Sequence, residues 1–310
     1  MSNLVSVIIP VFNRFNMVEK SIESVLNQDY NEYEIIIVDD CSTDGIFTYS
    51  HEKLSIIRVI ENSGPGFCRQ YGLEKAKGNY ILFLDSDDLL EQDFLSLSIQ
   101  KHIELNNEIC FTYCHSGILN SDLTWNNTDR QFDSIFPTLL KGRQWPTAAL
   151  LWNKKFLPNW NNYRSWEDYD IEFRAALKCN KIGFVNKKLV HISTPNENSL
   201  SGKKKSISQI ENQWRVLNFL TDNKSAYNAL LLPNQFGAVW NNVKLRKVKL
   251  IRDYIELNVK ISNGYFKEVT ANKIELIIYK FLNTVGVKFL RLYIKLKIRS
   301  LNSCVDYSVI

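Results

Sequence analysis

YILFLDSDD, residues 80–88, runs from five apolar residues, Tyr80 to Leu84, straight into three carboxylates, Asp85, Asp87 and Asp88. A continuous apolar run of this length is the mark of a strand covered on both faces. Three acids crowded at its end repel one another and raise one another's pKa. Either they are simply solvated, or something positive sits among them.

Reading outward, the same pattern occurs upstream. Val5 to Phe12 is a continuous apolar run that leads into PVFNR (10–14), and Glu34 to Val38 is a second that leads into VDDCSTDG (38–45), with its acids Asp39 and Asp40. Ser55 to Ile60 reads as a third strand. Asn16-x-x-Glu19 resembles a capping box that opens a helix with Met17, Val18, Ile22, Val25 and Leu26 on one face. Pro65 suits the first turn of another helix, which carries Arg69 and ends near Gly78. Strands alternating with helices predict an α/β fold: a Rossmann-like, mostly parallel central sheet flanked by helices, with a C-terminal helical extension. Further on, Ile109–Tyr113 and Thr147–Trp152 read as strands, 120–135 as loop, Glu167–Leu177 as helix, and Ile182–Val185 and Leu189–Ile192 as short strands. NENSLSGKKKS (196–206) is loop by composition, and from about 207 onward the pattern is helical. The boundary falls between a catalytic domain, 1–205, and a basic helical region, 206–310.

In an open α/β sheet, ligands bind outside the carboxyl ends of the strands. Three polar motifs share that edge, which makes one site there the expectation. Asp85 and Asp87, one small residue apart, can hold a hard divalent cation together with water and phosphate oxygens. The plain alternative is a solvated strand end, and Asp88 fits it best, as a cap and dipole partner for a helix near Leu89.

VSVIIPVFNR, YEIIIVDDCSTDG, NSGPGFCRQYGLEKAKGNYILFLDSDD and WEDYDIEFR, in this order and spacing, resemble family 2 glycosyltransferases of the GT-A fold, over roughly residues 4–195. The resemblance implies an inverting enzyme of surface polysaccharide synthesis. It would use a nucleotide-diphosphate sugar donor, a hydroxyl of a glycan or lipid-linked acceptor, and Mn2+ or Mg2+. By position it implies that Pro10 and Phe12 line the nucleoside pocket, that Asp40 accepts from the base while Asp39 shapes the loop, and that Arg69 lies beside the base or diphosphate. It places Asp85 on the ribose side, Asp87 on the metal and Asp168, in WEDYD, as general base. His191 would reach the metal or diphosphate, where imidazole can join carboxylates around manganese. A lone histidine is also a common structural residue. Glu167, Asp168 and Asp170 would complement a helix start whatever their role. Trp166 either packs on the acceptor sugar or is buried. Ser199, Ser201 and Lys203 to Lys205 either close over the diphosphate or form ordinary surface. A non-catalytic nucleotide-sugar-binding relative would lack the metal aspartate or the base, and this chain has both. A receiver domain would carry its acidic pair after the first strand, and a haloacid-type phosphatase would have Thr where Leu89 stands.

Composition bounds the rest. The chain has 310 residues, 45% hydrophobic, enough for a sizeable core. No signal-peptide pattern and no uncharged apolar run of about 18 residues occurs. The six cysteines show neither zinc spacing nor a disulfide framework. These features predict a cytoplasmic protein with reduced thiols, and on that ground the sequon Asn126-Asn127-Thr128 reads as chance. Between Val239 and Ser300 stand 14 basic residues against four acidic ones, a segment charge of +10 in a chain of net charge +5. Val285, Phe289, Leu292, Tyr293 and Leu296 recur among them at helical spacing. Such a segment can lie on anionic lipid, holding the enzyme peripherally on the inner face of the plasma membrane. The alternative is a polar helix face packed on the catalytic domain. No nucleic-acid-binding motif accompanies the charge, so nucleic acid is not the expected partner.

Overall fold

The computed structural model describes residues 3–45, 48–118, 124–125, 131–163, 165–193, 206–256 and 287–302. Two compact units, Met1–Lys203 and Lys204–Ile310, divide the chain.

The first unit is built on one sheet. Its strands are β1 (Val5–Val11), β2 (Tyr33–Asp39), β3 (Leu54–Arg58), β4 (Tyr80–Phe83), β5 (Leu89–Leu90), β6 (Phe111–Ile118), β7 (Thr124–Trp125), β8 (Leu150–Asn153) and β9 (Gly183–Ile192). Their order is β3-β2-β1-β4-β8-β6-β9-β5, with β7 beside β6. The β3-β2-β1-β4 half is parallel, as the unalternating apolar runs predict. Beyond it β8 is antiparallel to β4 and β6, while β9 returns parallel to β6. The helices are α1 (Phe15–Leu26), α2 (Pro65–Lys75), α3 (Phe94–Glu104) and α4 (Glu167–Lys178).

Val5, Val7, Ile9, Ile35, Ile37 and Leu82 are sealed in one core with Val18, Ile22 and Val25 of α1. Each contributes about 1.5–3 kcal/mol relative to exposure. Pro10 is tolerated in β1 for a local reason. Ile8 O accepts from Leu84 N and Val11 O from Asp40 N, so alternate residues face β4 and β2. Pro10 faces β4 beyond that strand's last pair, Ile8↔Phe83, so its missing N–H falls outside the paired ladder.

Several expectations need correction. Asn16 is not a cap: α1 begins at Phe15 with Arg14 as N-cap, and Asp44 Oδ2 accepts from Phe15 N at 3.1 Å. No helix begins at Leu89. Leu89 and Leu90 pair with His191 and Val190, and the helix starts at Phe94. Asp88 therefore caps nothing and is buried. The two short strands expected in 182–192 are one strand, whose pairing with β6 shifts register on either side of His115. The polar Asn186-Lys187-Lys188 of that irregular stretch interrupts the apolar signal. Thr147–Ala149 is a 3-10 turn that leads into β8.

The second unit contains α5 (Ile207–Asp222), α6 (Lys224–Asn228), α7 (Phe236–Glu256) and α8 (Val287–Asn302). A full capping box opens α5: Gln209 N donates to Ser206 Oγ and Ser206 N to Gln209 Oε1. No helix of the described residues is long and apolar enough to cross a membrane.

Candidate active site

The carboxyl ends of β1, β2 and β4 meet at one edge, and side chains lace the loops that leave them. Asn13, left-handed at φ 52°, accepts from Thr43 N at 2.7 Å and donates its own N–H to Ser42 Oγ at 3.0 Å. Asp39 Oδ1 accepts from Ser42 N, and Asp39 Oδ2 pairs with Arg58 at 3.2 Å. Asp39 thus shapes its loop. Asp40 is buried, and its two oxygens accept from Ser63 N and Gly64 N, each at 2.8 Å, just ahead of α2. The buried Cys68 thiol also hydrogen-bonds this carboxylate. Phe12 stands 44% exposed at the same edge.

Two of the acids that follow β4, Asp85 and Asp87, have found positive partners, and these are arginines. Arg69 Nη2 donates to Asp85 Oδ1 at 2.7 Å, and Arg14 Nη1 to Asp87 Oδ2 at 2.6 Å. Burial pushes the Asp87 carboxyl up, and Arg14 opposes that shift. Asp88 is raised well above the usual range by burial and by the charges of Asp85 and Asp87. Ser193, just past β9, stitches this loop down: its N–H reaches Asp88 Oδ1, and its hydroxyl donates to Asp87 O.

The set fits a hard cation only in part. Asp85 and Asp87 supply the oxygen chemistry, but the described residues form no cluster of three or more His, Cys, Asp or Glu able to hold a metal. Donor phosphates and water would have to complete the shell. His191 Nε2 lies 2.5 Å from Glu91 Oε1.

Arg69 links this edge to α4. Its side chain is 5% exposed, and Nη1 lies 3.6 Å from Glu167 Oε1 and 3.9 Å from Asp168 Oδ1. The guanidinium sits over the Trp160 ring, 5.0 Å from its centroid. Its Nε and Nη1 make no hydrogen bond among the described residues. Burial raises Glu167 to about 7, helped by the adjacent Asp168. Asp168 goes the other way: burial opposes its charge, but Arg143 and then Arg69 outweigh burial and hold the carboxyl below its usual range. Trp166 is the left-handed N-cap of α4, a strained place for so large a residue, and stacks on Tyr169 at 4.5 Å.

The structure thus brings together Asp85, Arg69 and Asp168 directly, with Asp87 in the same motif and Asp40 and Phe12 at the neighbouring strand end. His191 joins through the β5–β9 pairing. Ser199, Ser201 and Lys203 to Lys205 lie outside the described residues. Sequence reasoning missed Arg14, Arg143, Thr147 and Ser193. Arg14 was visible at the end of PVFNR. The others pair across long stretches of chain and leave no local spacing to read.

Residues 6–153 match the family described as glycosyl transferase family 2. An uncharacterized glycosyltransferase of Rickettsia felis is 34% identical over 282 residues, covering 84% of this chain and 44% of that protein. The Escherichia coli UDP-Glc:alpha-D-GlcNAc-diphosphoundecaprenol beta-1,3-glucosyltransferase WfgD is 27% identical over 229 residues, covering 72% of this chain and 88% of WfgD. The chain spans less than half the length of the first curated relatives that it matches. Staphylococcus aureus TarS 1–349 in complex with UDP-GlcNAc has the same fold, with TM-score 0.65 at 17% identity over 98% of this chain and 93% of that one. The architecture is that of the GT-A fold.

Proposed function

Because residues 6–153 are a glycosyl transferase family 2 domain, and the chain thereby a member of that family, we propose that it is an inverting glycosyltransferase. It moves a sugar from a nucleotide-diphosphate donor to a hydroxyl of a glycan or lipid-linked acceptor in polysaccharide synthesis. The observation that carries this reading is Arg69, one buried guanidinium that joins Asp85 at the β4 end to Asp168 on α4. Donor-holding and proton-accepting carboxylates are then neighbours.

In this reading Pro10, Phe12 and Asp40 receive the nucleoside, Asp85 the ribose, and Arg69 faces the diphosphate side. Asp168, kept ionised, takes the proton of the acceptor hydroxyl as its oxygen bonds to the anomeric carbon. The bond to phosphate breaks with its electron pair on the leaving nucleotide, and configuration inverts. General-base help of this kind is worth about 10²–10⁴-fold. A divalent cation, Mn2+ or Mg2+, held by Asp87 with donor phosphate oxygens would neutralise the leaving diphosphate; His191 is the second candidate ligand. The name of WfgD, which prints a diphosphoundecaprenol acceptor, supports a lipid-linked acceptor here. The basic segment supports a peripheral place on the inner, anionic membrane surface.

A thermal-shift panel of UDP-, GDP- and dTDP-sugars identifies the donor, since a ligand of the native state raises apparent stability. Asp168→Asn is expected to keep the donor-induced shift and to lower turnover by about 10² or more. Turnover within a few-fold of wild type removes Asp168 from the chemistry.

A further inference from the structure

Asp168 lies in the first turn of α4, yet α4 is not what fixes its carboxylate. The fixing groups come from the segment just before β8. Arg143 Nη1 donates to Asp168 Oδ2 at 3.2 Å, and Thr147 Oγ1 donates to Asp168 Oδ1 at 3.0 Å. Both oxygens are thus occupied from one side. The same guanidinium is anchored elsewhere. Its Nε and Nη2 lie 2.9 and 2.8 Å from Glu172 Oε1, and Nη2 also donates to Thr147 Oγ1 at 3.1 Å. Glu172 is fully buried, and its other oxygen accepts from Trp145 Nε1 at 2.9 Å. The main-chain N–H of Arg143 donates to Tyr169 Oη at 2.9 Å.

Asp168 and Glu172 are one helical turn apart on α4, so they share a face. A planar fork with fixed donor directions can span two such carboxylates, whereas a lysine ammonium cannot. We propose that Arg143, anchored by Glu172 and Thr147, is a positioning residue that sets the direction in which the Asp168 carboxylate meets the acceptor hydroxyl. This rests on the reading of Asp168 as general base.

The charges around Asp168 come from three elements. Arg143 belongs to the segment before β8, Arg69 to α2, and Glu167 and Glu172 to α4 itself, with Tyr169 beside Arg143. Burial works against ionisation of Asp168, and the two arginines more than offset it, Arg143 foremost. The carboxyl's folded value lies below its ordinary one, so Asp168 stays charged as pH falls toward that lower value. Without Arg143 the proton returns at higher pH. The acidic limb of turnover then moves upward.

The test is carboxyl-13C aspartate labelling of the full chain, without ligand, with the Asp168 signal assigned by its loss in Asp168→Asn. Arg143→Met paired with Glu172→Gln removes the charge from Asp168 without stranding the Glu172 carboxylate, and the Asp168 midpoint is expected to move up. Arg143→Lys keeps a charge but loses the fork. There kcat is expected to fall by up to about 10²-fold, the scale of a misplaced catalytic group, while donor KM stays within a few-fold. Thr147→Val, nearly isosteric, is expected to lower kcat in the same sense and covers the case in which the paired variant fails to fold. A group that only supports the fold would lower Tm and leave both midpoint and kcat in place; that outcome overturns the proposal. A raised midpoint in a chain whose wild type turns over no nucleotide sugar also overturns it, by removing the reaction while leaving the ion pair.

Discussion

Asp87 carries two opposed demands. Burial pushes its proton affinity up, yet Arg14, 2.6 Å away, keeps a positive group at its Oδ2. A cation held by Asp87 must share that carboxylate with Arg14 or displace it. The ion pair is mostly buried, with side chains 30% and 20% accessible, so losing Arg14 would leave Asp87 uncompensated unless the cation takes over the neutralising charge. Asp87→Asn is expected to uncouple donor binding from metal. In calorimetry the wild type should bind a nucleotide sugar more tightly with Mn2+ than with EDTA, and the variant should bind it equally weakly in both. Donor affinity in the wild type that ignores EDTA would refute the assignment of Asp87 to a metal.

Element placement explains why so much of the site could be read ahead and why some could not. Each strand-end motif sits where an apolar run stops, so Asp39, Asp40, Asp85 and Asp87 were visible from periodicity alone. The helix between them is set by close contact. A Cβ at Gly72 of α2 would lie 2.5 Å from Ile8 Cγ2, and one at Gly78 would lie 2.6 Å from Leu4 O and 2.7 Å from Ser6 N. At Gly78 the obstacles are backbone and cannot move aside. Gly78→Ala is expected to destabilise the first unit by about 1–3 kcal/mol, the range for overpacking, as a lower urea midpoint at unchanged m. A midpoint equal to wild type would mean that the chain entering β4 is loosely held. Long-range pairing is what local patterns conceal. Asp88 looked like a helix cap because Leu89-Leu90 carries no sign that it will pair with His191 and Val190, a hundred residues on. Asn16 looked like a cap because Asp44, which takes that place, arrives from another loop. Arg143 stands 25 residues before Asp168, in no spacing that marks a charge network.

At the scale of the whole molecule, charge is segregated. Residues Val239 to Ser300 hold +10 of a chain whose net charge is +5, so the remainder is acidic. Within the second unit α8 lies along α7. Ile294 and Leu301 of α8 are buried, seven residues apart and so on one face. Leu296 lies elsewhere on the helix, 53% exposed, with Arg299 exposed nearby. Packing accounts for the first face and leaves the second to solvent. An exposed apolar side chain beside an exposed cation is what an anionic headgroup layer accepts. Each basic residue at such a surface is worth about 1 kcal/mol, and salt screens it. The full chain is therefore expected to co-sediment with vesicles containing phosphatidylserine or phosphatidylglycerol, not with pure phosphatidylcholine, and to release as salt rises. Arg299→Gln removes about 1 kcal/mol of that attraction, roughly a fivefold loss of partitioning. Leu296→Ser is expected to weaken binding while preserving its salt dependence, because it removes the apolar contact and keeps the charge. If the charge variant sediments as well as wild type, the basic segment is occupied with its own helices, and the route to a lipid-linked acceptor must lie elsewhere on the protein.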